Sequence, residues 1–416
     1  MQEMRSSVEL LQGTARYFPA LIEAIAHAQS TIYIDSYLIH DDTQTQFVFE
    51  ALIKARGRGV QIYLMLDGFG ASSDVQWVRK KLEPHGIQVE LYRPGWRWFS
   101  PKTWRRMHRK MVLIDEQIGF IGGINLIDDH HDPVHGQLTH PRLDFAVRVT
   151  AWRVVRGMSR LMRRMWWRVS MRNAVQGGID RFLKTGKGAV ELRHVREAWR
   201  RTRRHLRWRG PAVRRDRLRH VRLLLRDNFR HRRSIEHWYL WNIRLAKHDV
   251  LIANAYFVPT LRFRQALIRA ASRGVRVRLL LQGNSDQWWT HWATQALTEE
   301  LVASGIEVYQ YTPSFLHAKV AVIDDAVTIG SSNIDPFSLM MSLEANLVAQ
   351  DTAVAADLRG ILEKAIDKES VRMRRRSVRP LPFPVMRALG RRIALTFALM
   401  ALRIFIAFSR TRFQVN

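Results

Sequence analysis

One spaced pattern, present twice, constrains this chain more than any other feature. The first copy is His108-x-Lys110 with Asp115 five residues beyond the lysine, followed by Gly122, Gly123 and Asn125. The second is His317-x-Lys319 with Asp324, followed by Gly330, Ser331, Ser332 and Asn333. On an extended strand, side chains two apart point to the same face, so each histidine shares a pocket with its lysine. Val112 and Ile114 continue that face while Met111 and Leu113 fill the other, so the strand is expected to be buried on both sides. A histidine and a lysine in one pocket have a phosphate as their natural common ligand. The lysine supplies a fixed cation, and the imidazole attacks phosphorus or carries a proton.

The surroundings of the motifs repeat as well. Asp249–Tyr256 mirrors Thr31–Tyr37, the strand opening at Gly274 mirrors the one opening at Gly59, and Gly305–Tyr309 mirrors Gly86–Glu90. The offsets are 219, 215 and 219, falling to 209 at the histidines. An offset that steady marks an internal duplication, and the drop locates about ten extra residues at Gly95–Met107 of the first copy. Within the first copy, helical periodicity at Tyr17–Ala28, Gln44–Arg58 and Val75–Pro84 alternates with strand-like runs at Thr31–Leu38, Gly59–Asp67 and Gly86–Tyr92. That alternation predicts an α/β fold of two repeats, each a mixed sheet flanked by helices. One half-site in each copy predicts a single shared site at a pseudo-two-fold interface.

Charge divides the chain differently. Residues 151–233 carry 27 Lys and Arg against 5 acids, and residues 371–416 carry 11 Arg and no acid. The net charge of +30 therefore resides in these two segments, and the motif-bearing parts are close to neutral. The expected division is a first repeat at 1–150, a basic Arg/Trp-rich insert at 151–233, a second repeat at 234–370 and a basic tail at 371–416. Both basic segments interleave Arg with long apolar residues, such as Met158, Met162 and Trp166 along Arg153–Arg172. Basic amphipathic helices of this kind suit an anionic membrane surface. Ile393–Phe408 has sixteen residues and one charge, short of the ~20 that span a bilayer, which predicts a helix lying in the headgroup region. Cysteine is absent, which excludes a disulfide framework and a thiolate site. Met1–Gly13 lacks a basic region followed by an apolar run, so no cleaved leader is expected.

The paired motifs resemble those of the phospholipase D superfamily. Asn254-Ala255-Tyr256-Phe257, Gly330-Ser331-Ser332-Asn333-Ile334-Asp335-Pro336 and Ser342-Leu343-Glu344-Ala345-Asn346 narrow the resemblance to the short bacterial cardiolipin synthases. The resemblance implies phosphatidyl transfer between two phosphatidylglycerol molecules. His108 would form a phosphohistidine, His317 would protonate the leaving alcohol, and Lys110 and Lys319 would hold the non-bridging oxygens. Asn125 and Asn333 would donate to the same oxygens, with Gly123 and Ser331 supporting at the turns. Asp115 and Asp324 complete the catalytic motif, although their place on the opposite strand face suits a structural carboxylate. The family sets carboxylates against its imidazoles, and Asp144 and Glu344 hold matching positions for this. Which acid meets which histidine stays open.

No cofactor is implied. The cluster Asp128-Asp129-His130-His131-Asp132 with His135 has the residue types of a metal site but reads as a solvated loop, so no metal is expected. A nuclease or a phospholipid hydrolase would use the same motifs. The near-neutral motif segments favour lipid, with no nucleic-acid partner, and the resemblance implies a peripheral place on the cytoplasmic face of the inner membrane. On this reading, deleting residues 385–416 should weaken binding to anionic vesicles and steepen its salt dependence, because the apolar contribution is lost and the screened one remains. Turnover of a water-soluble phosphodiester should hold, and its loss would mean that the tail packs into the fold.

Overall fold

The computed structural model describes residues 7–94, 106–132, 135–185, 220–227, 231–283, 298–335 and 342–374, with side chains of the long central helix described to residue 176. The expectations for Gly95–Arg105, for the basic segment at 186–219 and for the tail beyond residue 374 lie outside the described residues.

The first repeat runs β1 (Val8–Gln12), α1 (Gly13–Ala26), β2 (Thr31–Ser36), α2 (Thr43–Gly57), β3 (Gln61–Asp67), α3 (Val75–Leu82) and β4 (Gln88–Tyr92). It continues through β5 (Arg106–Met107), β6 (Lys110–Ile114), β7 (Ile118–Gly122), a short hairpin of β8 (His131–Asp132) and β9 (Gly136–Gln137), then β10 (Phe145–Val149) and α4 (Trp152–Thr185). The second repeat runs β11 (Val221–Arg226), α5 (Ser234–Leu245), β12 (Asp249–Asn254), α6 (Leu261–Ser272), β13 (Arg276–Gln282) and β14 (Glu307–Tyr311). It closes with β15 (Lys319–Ile323), β16 (Ala326–Gly330), β17 (Ser342–Gln350), α7 (Thr352–Glu369) and β18 (Ser370–Arg372).

The two main sheets have one topology. The first is ordered β1-β10-β7-β6-β2-β3-β4, and the second β11-β17-β16-β15-β12-β13-β14 with β18 added at its edge. In each, the three strands that come early in the repeat pair in parallel and the motif strand joins them antiparallel. The uninterrupted apolar runs explain why β6 and β15 sit in mid-sheet. Every residue of both is buried, and a strand covered on two faces cannot alternate apolar with polar.

Three clusters of apolar side chains fill the layers. One holds α1, α2 and α3 on the outer face of the first sheet, and another holds α5 and α6 on the outer face of the second. The third lies between the sheets and draws on both, from Tyr63, Phe145 and Val147 to Leu347, with α4 and α7 packed into it.

This central cluster takes in part of the segment that charge sets apart. Along α4, Val154, Val155, Met158, Met162, Trp166 and Val169 are all buried. Trp166 packs on Tyr63 with ring centroids 5.2 Å apart. The apolar face of Arg153–Arg172 therefore turns into the protein core, and its arginines face outward because a helix that buries one stripe leaves the other wet. Helix α4 follows β10 as α7 follows β17, and β11 pairs with β17 as β1 pairs with β10. Residues 152–176 and 221–226 thus pack with the repeats, although the charge count assigns them to the insert.

Asp115 and Asp324 also find their place here. Each lies beyond the far end of the motif strand with positive φ, 51° and 48°. Asp115 accepts from the backbone N–H groups of Gln29, Ser30 and Thr31 at 2.7–2.9 Å. Asp324 accepts from those of Lys247, His248 and Asp249 at 2.9–3.0 Å. Five residues of strand separate each from its lysine, ~16 Å, so both stand away from the histidine pocket and clamp the start of β2 and β12. Asp115→Ala should destabilise the fold by ~2 kcal/mol, because three backbone donors lose their acceptor. The expected readout is a lower thermal midpoint with turnover per folded molecule retained. Lost turnover at unchanged stability would return Asp115 to the chemistry.

Candidate active site

The histidines stand just outside their own sheets. β5 stands outside the first sheet and pairs in parallel with the start of β17, Arg106 beside Ser342 and Met107 beside Leu343. The His108 N–H then donates to the Leu343 carbonyl at 3.1 Å. The mirror arrangement sets Leu316 beside Leu143, with Leu143 N–H donating to Phe315 at 3.0 Å and His317 N–H donating to Leu143 at 2.9 Å. Leu343 precedes Glu344 and Leu143 precedes Asp144, so backbone pairing alone brings each histidine beside the other repeat's acid.

The side chains complete the exchange. His108 Nδ1 lies 3.2 and 3.3 Å from the two oxygens of Glu344, and His317 Nδ1 lies 2.6 Å from Asp144 Oδ2. This settles the pairing that the sequence leaves open. An ionised carboxylate only accepts, so each Nδ1 carries the proton and each Nε2 keeps its lone pair for chemistry.

Lys110 and Lys319 are buried, 3% and 0% exposed. Lys110 Nζ donates to the His108 carbonyl at 2.7 Å, and Lys319 Nζ donates to that of His317. Burial, with each lysine repelling the other, pulls Lys110 down to about 7. Burial likewise draws Lys319 to about 8. Burial works to raise Glu344 and Asp144, but the paired imidazoles and the lysines outweigh it and hold both below the usual carboxylate range. Burial and the neighbouring lysine charge depress both histidines, His317 to about 3, against the pull of their acids. Their rings are still partly exposed, at 18% and 25%, so the site opens toward solvent at the imidazoles.

The turns after β7 and β16 show how two copies of one motif have diverged. A Cβ at Gly123 would lie 2.2 Å from Asp144 Oδ1, so glycine is needed where the shorter acid folds back. Its counterpart Ser331 donates its hydroxyl to the longer Glu344 at 2.5 Å. Asn125 accepts from the Leu38 N–H at 3.0 Å, which commits its oxygen and leaves its NH2 as the donor. Asn333 is buried, and its side-chain oxygen has no partner among the described residues.

Several neighbours carried no signal in the motifs themselves. The Tyr37 ring meets the His108 ring edge-on at 4.8 Å, and Lys110 Nζ lies 5.3 Å from the same ring. Arg109 is locked to Asp35 at 2.7 Å. Asp67 accepts from the Met107 N–H at 2.7 Å, and its counterpart Gln282 accepts from the Leu316 N–H. Only the register of the two sheets pairs Ser36 with Asn254 and Asp67 with Gln282.

The Asp128–His135 segment is not simply a solvated loop. Asp129 is buried and accepts from the Thr14 N–H at 2.5 Å. The His131 ring stacks on His40 at 4.1 Å, and the His135 ring lies 5.0 Å from Phe315, just before His317. Among the described residues no three His, Asp or Glu side chains gather to hold a metal ion.

Comparison with known proteins agrees with this geometry. A family model described as "Cardiolipin synthase, PLD-like domain" matches residues 21–166 and 239–366, one stretch in each repeat. Cardiolipin synthase B of Salmonella typhi is 34% identical over 87% of this chain and 80% of its own. Cardiolipin synthase B of Escherichia coli K12 is 34% identical with the same coverage. The fold is similar to that of phosphatidylserine synthase from Haemophilus influenzae, at a TM-score of 0.61 and 14% identity over 96% of this chain and 94% of that one. With two matched repeats and one-third identity across most of its length, the chain belongs to the phospholipase D-like cardiolipin synthases, a family of phosphatidyltransferases.

Proposed function

We propose that this protein joins two phosphatidylglycerol molecules into cardiolipin and glycerol through a phosphohistidine. The observation that carries the reading is the crossed pairing of His108 with Glu344 and His317 with Asp144, each imidazole beside a buried lysine. His108 Nε2 attacks phosphorus of the first lipid, and the P–O bond to its headgroup glycerol breaks as His317 supplies the proton. The terminal hydroxyl of a second phosphatidylglycerol then gives its proton to His317 and attacks the phosphohistidine, freeing His108. One phosphodiester is made for each one broken, so the exchange needs no activated donor. Lys110 and Lys319 offset the charge on the non-bridging oxygens, and the Asn125 and Asn333 amides donate to them.

Protons follow from the electrostatics. The lysine charges that depress the imidazoles are met by the arriving phosphodiester anion, so binding raises both histidines and lets His317 hold a proton. Among the described residues no helix is long and apolar enough to cross a membrane. The reading has the protein peripheral on the cytoplasmic face of the inner membrane, held to anionic lipid by its basic segments.

Purified protein mixed with phosphatidylglycerol vesicles in chelator should yield cardiolipin, scored by lipid chromatography, and should leave labelled single-stranded DNA intact. His108→Ala and His317→Ala should each cut the yield by ~1,000-fold or more, since residues that act as a unit fail as one. Either variant keeping a tenth of the wild-type rate would sink the shared-site mechanism, and DNA cleavage without lipid transfer would favour a nuclease.

The lysines give a second test. With pKa values drawn down to about 7 and about 8, Lys110 and Lys319 lose their charge as pH rises through and above neutrality. Affinity for dimethyl phosphate, whose own charge is constant, should level off only below about pH 6 and fall by about tenfold or more from there to pH 9. Calorimetric titration showing no fall would mean that both lysines keep their ordinary basicity.

A further inference from the structure

The mechanism asks the two histidines for opposite services, yet their immediate surroundings are alike. The difference lies one layer back. On β11, Arg226 stands directly across from Glu344 in the antiparallel ladder, and opposed residues in such a pair project to the same face. Arg226 is 2% exposed. Its Nε donates to the Arg232 carbonyl at 3.3 Å, and its two terminal nitrogens have no hydrogen-bond partner among the described residues. Its charge is offset through space, by Glu344 first and then Asp335 and Glu236, with Arg232 opposing. Burial brings it to about 10, which leaves it charged at neutral pH.

The first repeat has no side chain at this place. Leu11 opposes Ala146 as Leu224 opposes Asn346, which makes Gly13 the counterpart of Arg226. Gly13 has φ of +65°, donates to the Asp144 carbonyl at 2.9 Å, and would bring a Cβ to 3.0 Å from Asp129 Oδ2. The space is taken by the buried Asp129 carboxylate, tied to the Thr14 N–H and neighbour to both Asp144 and Arg142. Burial and Asp144 raise Asp129 to about 7, so it is ionised on the alkaline side of neutrality.

We propose that, once substrate is bound, Arg226 and Asp129 divide the proton between the imidazoles, Arg226 acting through Glu344 to keep His108 free for attack and Asp129 acting through Asp144 to keep His317 protonated. A cation behind Glu344 weakens its pull on the His108 proton, and an anion behind Asp144 strengthens its pull on that of His317. The other charged groups do not cancel this difference. Lys110 and Lys319 lie between the two half-sites, and Arg109 with Asp35 and Arg106 with Asp67 are neutral pairs on the His108 side. Tyr37 stays un-ionised, because burial lifts it to about 12. Arg142 opposes Asp129 on the His317 side but is itself engaged by the Asp128 carbonyl and by Asp132, 3.9 Å away. Both residues are positioning residues. The inference rests on the transferase reading and assigns each histidine its part by charge.

The test uses the full-length protein and two short-chain phosphatidyl esters, one with glycerol and one with p-nitrophenol as leaving group, over pH 5–9. The nitrophenolate leaves without a proton, so only the glycerol ester needs His317 as acid. Arg226→Met should move the acid limb of kcat, which reports the substrate complex, upward by about one pH unit for both esters, because His108 then holds its proton longer, and Arg226→Lys should restore it. Asp129→Asn should move the alkaline limb downward with the glycerol ester and slow it about tenfold more than the nitrophenyl ester. A purely structural role would slow both esters alike and move neither limb. Limbs that stay put, or that shift together in both variants, overturn the proposal. If Arg226→Met does not fold, the contrast between esters in Asp129→Asn decides alone. A wild type inactive on both esters would instead overturn the transferase reading.

Discussion

Everything in the candidate site depends on two backbone hydrogen bonds that join one repeat to the other, His108 N–H to Leu343 and His317 N–H to Leu143. Each fixes a histidine one residue away from the partner repeat's acid, so the imidazole–carboxylate distances follow from main-chain register. Main-chain pairing tolerates sequence change better than side-chain packing does, because every non-proline residue brings the same donor and acceptor. The core behind the pairing keeps it in place. Side chains from both sheets, with α4 and α7, enclose it in one cluster, so the sheets cannot slide without exposing apolar surface.

Burial of two lysines in the same small volume works against stability. Among the described residues neither forms an ion pair within 4 Å, and each gives its ammonium to a main-chain carbonyl. Asp144 and Glu344 offset the charge across the site. On the proposed mechanism the arriving phosphodiester supplies the anion that offsets the cost of burying both charges.

The fold was legible to the extent that it is periodic and repeated. The runs at Thr31–Leu38 and Gly59–Asp67 correspond to β2 and β3, and the steady offset between copies corresponds to two sheets of one topology. Charge was a poor guide to boundaries, since the arginines of α4 describe its wet face and say nothing of Val154, Met158 and Met162 beneath. His108, Lys110, His317 and Lys319 could be named because chemistry demands them in fixed spacing. The crossing of Glu344 to His108 could not, because it is set by pairing between segments 236 residues apart. Asp115 and Asp324 belong to the motif by spacing alone. Arg226 and Asp129 belong to no motif, and their relation to the acids appears only when strands are laid side by side.

The crossed pairing also bears on how such a chain is made. Synthesis delivers the first repeat well before the second, and that repeat carries His108 and Lys110 without Glu344. Its imidazole has nothing to fix the tautomer, and Asp144 waits for a histidine that comes 173 residues later. A nascent or half-folded chain therefore holds neither imidazole–carboxylate pair. On the proposed mechanism it has no assembled nucleophile, and both pairs form only when the second repeat docks on the first.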